Sequence, residues 1–157
     1  MRSILEYGSV IWTGAAKTHT ERVDRVQHKF LMWLRTHLHR GHYSLSYPDL
    51  LKHFKIPSLA SRRIQHDLLF IRNVMNNRVD SDTLLYNFPL RVPARSTRSQ
   101  NLLAVPHARV RTVECGLFVR LPTLLNTFLS CDAVDIDLFE DNLYSFKNCV
   151  LKYVMAC

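Results

Sequence analysis

From Thr18 to Leu38, the residues Val23, Val26, Phe30, Leu31, Leu34 and Leu38 recur at spacings of three and four, the period of a helix with one apolar stripe. Thr18 followed by Glu21 fits a capping box at its start. The period returns in Leu59, Ile64, Leu68, Ile71 and Met75, widened by Leu69, Phe70 and Val74. A second strong helix is therefore expected over roughly 59–76, capped by Ser58, with Arg62, Arg63 and Arg72 on its exposed side. A third run, Leu117, Phe118, Leu121, Leu124, Leu125, Phe128 and Leu129, is expected to break or kink at Pro122. A last amphipathic helix is read from Leu138 through Phe139, Leu143, Phe146, Val150, Tyr153 and Val154.

Shorter elements are marked by their punctuation. Tyr47-Pro48-Asp49 opens a helix that Ile56-Pro57 closes, because Pro suits a first helical turn and the residue before Pro avoids the helical region. Ser81 and Asp82 cap a turn ending at Tyr86. Residues 87–112 carry Pro, Arg and hydroxyl residues with no helical period. The fold class is all-α: an irregular helical bundle with a Pro/Arg-rich non-helical arm at about residues 87–112. Its expected organisation is a basic helical part over 1–86, the arm over 87–112 and an acidic helical part over 113–157, together one compact domain. The apolar opening, Ile4-Leu5-Glu6-Tyr7 through Val10-Ile11-Trp12, leaves almost no solvated face. It reads as a helix cut from a longer parent, to be buried on several sides or used for self-association through residues 4–12.

A chain of 157 residues, 47% of them hydrophobic, is long enough to bury a core. No run approaches the roughly 18 apolar residues of a membrane span, so no membrane partner is expected. Cys115, Cys131, Cys149 and Cys157 lie far apart without a paired-cysteine motif, and the opening does not resemble a signal peptide. Free thiols and an intracellular place, nucleus or cytoplasm, are the expectation.

Charge separates the two ends. Residues 1–111 hold 18 Lys and Arg against 7 Asp and Glu, an excess of +11, whereas residues 112–157 hold 3 against 6, or −3. A basic body of this kind favours a polyanionic partner, RNA or DNA. Arg22, Arg25, Lys29 and Arg35 recur along one face of the first long helix, and Arg62 and Arg63 open the second. In the arm, Arg91, Arg95, Arg98, Arg109 and Arg111 stand among hydroxyl residues with no acid between them. The candidate nucleic-acid-binding residues are accordingly Arg22, Arg25, Lys29, Arg62, Arg63, Arg95 and Arg98.

Catalytic chemistry leaves no comparable signature. There is no G-x-S-x-G elbow, no Gly-rich phosphate loop and no dinucleotide fingerprint. Asp80 with Asp82, and Asp135 with Asp137, sit at turn signals where Asp caps. His37, His39 and His42 cluster at a helix end without a neighbouring Cys or carboxylate, so neither a metal nor a cofactor is expected.

Four blocks carry a resemblance. The stretch Arg2 to Trp12 is similar to the segment after the polymerase palm of non-LTR (LINE-like, jockey/CR1-type) retrotransposon reverse transcriptases. Arg25-Val26-Gln27-His28-Lys29-Phe30-Leu31 resembles that family's "VQRKFL" helix, and Ile56-Pro57-Ser58-Leu59 with Arg62-Arg63 its "LPSLxxRR" block. Val92-Pro93-Ala94-Arg95-Ser96-Thr97-Arg98 resembles its "VPxRxTR" arm. His28 stands where the family usually has Arg, and Ala60 interrupts its "SLE" pattern.

The resemblance implies a thumb-like, C-terminal part of an RNA-directed DNA polymerase, holding template RNA or target DNA beside an upstream polymerase domain. The polymerase's Asp-Asp turn is not in this sequence, so the resemblance implies a non-catalytic role. The competing expectation is a helical protein-interaction module or an inert transposon relic that binds no nucleic acid.

Overall fold

Ser58 shows how locally the helices are specified. Its side chain accepts a hydrogen bond from the Ser61 backbone N–H at 3.0 Å, which satisfies one of the donors that every helix N-terminus leaves open. The computed structural model describes residues 5–14, 17–38, 46–92, 101–131 and 136–156. Among them are eight helices: α1 (Ser9–Trp12), α2 (Lys17–Leu38), α3 (Tyr47–His53), α4 (Leu59–Met75), α5 (Asp82–Tyr86), α6 (Arg111–Glu114), α7 (Leu117–Leu129) and α8 (Leu143–Ala156). The fold is all-α, with one isolated antiparallel bridge, Leu90 to Leu103, among the described residues.

Helix α4 is the centre of the packing. It touches α1, α2, α5, α7 and α8. Its Leu68, Ile71, Val74 and Met75 share a core with Phe88, Leu103, Leu121, Leu125, Phe128, Phe146, Val150 and Val154. The ring of Phe128 meets those of Phe146 and Tyr153 edge-on, at centroid distances of 5.6 and 5.2 Å, an arrangement that aromatic quadrupoles favour. One core therefore draws residues from the basic, irregular and acidic stretches alike.

Four local expectations need correcting. Pro122 does not end its helix, because α7 runs unbroken from Leu117 to Leu129 with Pro122 buried inside it. Burial of Leu121, Leu125 and Phe128 on the same helix offsets the lost backbone hydrogen bond. The last helix begins at Leu143, not Leu138. The Asp137 carboxylate accepts hydrogen bonds from the Phe139 and Glu140 backbone N–H groups, at 2.7 and 3.2 Å. These two bonds hold the Asp137 carboxyl below its ordinary pKa, and the turn they make occupies the place of a first helical turn. The arm gives way to helix earlier than expected, with α6 starting at Arg111. Finally, the apolar opening is broken at Gly8, whose φ of 62° lies in the left-handed region, and Tyr7 and Ile11 are 86% and 81% exposed.

Two buried amides fasten the irregular segments. Asn126 on α7 donates to the Leu103 carbonyl at 2.9 Å and accepts from the Leu103 N–H at 3.0 Å, taking the place of a strand partner. Gln27 on α2 accepts from the Leu59 N–H at 3.0 Å and donates to the Pro57 carbonyl at 3.2 Å, pinning the start of α4 to α2. Asn126→Leu should cost about 2 kcal/mol in chemical denaturation, because both backbone groups of buried Leu103 lose their partners. A cost near zero would mean that water replaces the amide.

Candidate nucleic-acid interface

Helix α2 has 22 residues, a rod about 33 Å long. Its buried side is held by Leu31 and Gln27. Arg22, Arg25 and Lys29 stand exposed on the opposite side, at the helical spacing their sequence positions give. Among the described residues, none of these three makes an ion pair with a carboxylate. From Arg22 to His37 the only acid is Asp24, and its carboxylate is turned to Arg63. Along that length the exposed face of α2 carries Arg22, Arg25 and Lys29 beside exposed Val26, Phe30 and Trp33, while Arg35 is half-buried.

Arg62 and Arg63 are not part of that surface. They are 4% and 6% exposed, and Arg72, expected on the same exposed side, is 1% exposed. Arg62 pairs with Glu6 at 2.5 Å, and Arg63 pairs with Asp24 while its guanidinium lies 5.5 Å from the centre of the Trp12 ring. Arg72 donates to the Asp141 backbone carbonyl and stacks 5.1 Å from the centre of the Phe146 ring. Burial holds its guanidinium below the ordinary arginine value. These cations serve the interior, where an unpaired charge is prohibitive.

A related cluster lies alongside them. Asp67, 2% exposed, accepts from Arg120 at 2.9 Å, and Arg120 also donates to the Val10 carbonyl at 2.6 Å. Burial pushes the Asp67 carboxyl up to about 7, against the opposing pull of Arg120 and Arg63. His66 sits 3.1 Å from the Ser9 hydroxyl. The cluster ties α1 and α7 to α4.

Of the arm's cations, Arg91, Arg109 and Arg111 are exposed, whereas Arg95 and Arg98 lie outside the described residues, as do His39 and His42. Among the described residues no group of His, Cys, Asp and Glu could hold a metal ion, and no helix is long and apolar enough to cross a membrane.

Two surface residues escaped the sequence reading. Phe30, expected in the apolar stripe of α2, is 42% exposed, and Trp33 beside it is 54% exposed. Their rings stack at 6.2 Å, and the Trp33 ring lies tilted against that of His37 at 4.3 Å. The signal was present: with Leu31 at the centre of the buried face, Trp33 falls 200° around the helix from it. Beside this row, Leu5, Val26, Phe30 and Ile56 line an apolar hollow of about 280 Å3. No protein-family model, no curated protein and no solved structure matches this chain.

Proposed function

We propose that the chain is a non-catalytic, nucleic-acid-binding helical region, related to the post-polymerase part of non-LTR retrotransposon reverse transcriptases. It would assist an upstream polymerase domain by electrostatic attachment to template RNA or target DNA. The observation that carries the reading is the row Arg22, Arg25 and Lys29, exposed and free of carboxylate partners among the described residues. Exposed Arg91, Arg109 and Arg111 supply further phosphate contacts. The kinship rests on the order of the sequence blocks. Two of its arginines, Arg62 and Arg63, are here assigned to structure and not to phosphate.

Counterion release gives the reading its test. Each neutralised phosphate contributes a slope of about −0.7 to −0.9 to log K against log salt. Replacing Arg22, Arg25 and Lys29 together by Gln should therefore flatten the salt dependence by about two to three. Fluorescence anisotropy with a labelled oligonucleotide measures it. A binding constant indifferent to salt, or a slope unchanged in the triple variant, would sink the proposal.

A second reading, self-association through residues 4–12, draws its support from the exposure of Tyr7 and Ile11. Sedimentation over a range of protein concentrations separates it from nucleic-acid binding.

A further inference from the structure

The cations of α2 share their face with an aromatic row that electrostatic attachment does not use. Lys29 stands one turn before Trp33 and His37 one turn after it, with Phe30 on the same flank. The three rings form a ladder along the helix, Phe30 to Trp33 at an interplanar angle of 26° and Trp33 to His37 at 31°. His37 is anchored as well, its Nδ1 lying 2.9 Å from the Trp33 carbonyl oxygen. A Trp ring more than half exposed beside a Phe is unfavourable in water and gains from a flat apolar cover.

Charge decides what that cover is. A row of Arg22, Arg25 and Lys29 repels a like-charged copy of itself and attracts a ligand whose flat faces are strung on anions. Bases on a phosphodiester backbone have that form. In a duplex the faces are stacked on one another and unavailable, whereas in a single strand they are open.

We propose that α2 is a single-strand platform, on which an unpaired base stacks against Trp33 while Lys29, Arg25 and Arg22 hold the adjoining phosphates. This rests on the nucleic-acid reading above and narrows it to single-stranded RNA or DNA.

The experiment uses the full chain with Trp12→Phe, which keeps an aromatic face under Arg63 and leaves Trp33 as the sole tryptophan. Its fluorescence is titrated with single-stranded oligothymidine and with a duplex of equal length. Quenching by the single strand alone is expected. Trp33→Ala should weaken single-strand binding by about 5- to 150-fold and leave the salt slope unchanged, since no phosphate contact is lost. Trp33→Phe should retain most of the affinity, and circular dichroism should be unaltered in both.

Salt-dependent binding with an unquenched Trp33, and equal affinity in Trp33→Ala, would overturn the platform and leave the electrostatic reading standing. Absence of salt-dependent binding to either oligonucleotide would overturn both. Quenching that follows protein concentration without any oligonucleotide would assign the aromatic row to a second copy of the chain, and so overturn it too.

Discussion

Asp67→Asn is expected to abolish a fall in stability that the native chain shows between pH 4 and pH 7. The unfolded carboxyl titrates at its ordinary value of 3.8, and burial raises it to about 7 in the folded chain. A raised value means that the folded state holds the proton more tightly. The contribution is therefore fully present below pH 3.8, is lost as pH rises through about 7, and is constant beyond that. At about 1.4 kcal/mol per pH unit, the whole change is on the order of 4 kcal/mol. Urea denaturation at pH 4.5 and 7.5, in both proteins, isolates it. Every other group is common to both proteins and cancels in the comparison. A native chain no less stable at pH 7.5 than the variant's trend predicts would show that Arg120 and Arg63 keep Asp67 ionised throughout.

The second large effect concerns Arg63. Asp24→Ala leaves that buried guanidinium with the Trp12 ring and the more distant Asp67 charge, and should cost about 3 kcal/mol. The figure sits at the low end for a broken buried pair because the Asp24 side chain is 40% exposed, so water reaches one partner. Arg63→Met combined with Asp24→Ala should recover most of the loss, since an apolar chain of similar length needs no counterion. A double-mutant cycle by chemical denaturation measures the coupling. Strict additivity of the two substitutions would refute a structural role for the pair.

These arginines also show where sequence reasoning stopped. The caps at Ser58 and Ser81, the Pro at the start of α3 and the long apolar periods are contacts between near neighbours, and each is visible in a few consecutive residues. The all-α class follows from them. Arg62 and Arg63 were read as surface because a charge is solvated unless a partner is known. Their partners, Glu6 and Asp24, are separated from them by 56 and 39 positions, and Asp67 from Arg120 by 53. Nothing local encodes such pairings.

One clue was legible. At about 100° per residue Arg63 falls between Phe70 and Val74, inside the apolar half of α4, whereas Arg62 and Arg72 fall on the other half. The exposed face of α2 was half read. Its cations follow from their spacing, but the same spacing puts Phe30 in the apolar stripe, where large aromatic residues ordinarily lie.

Gly14 abuts the chain a hundred residues further on. A Cβ there would overlap the Cys115 carbonyl oxygen, and close by, the Val10 carbonyl is held by Arg120. During synthesis, α4 leaves the ribosome long before α7 and α8, the helices that cover it. The fold cannot close until translation has passed Val154. Shortening the chain from the C-terminal side would therefore remove cover from α4 rather than trim an appendage.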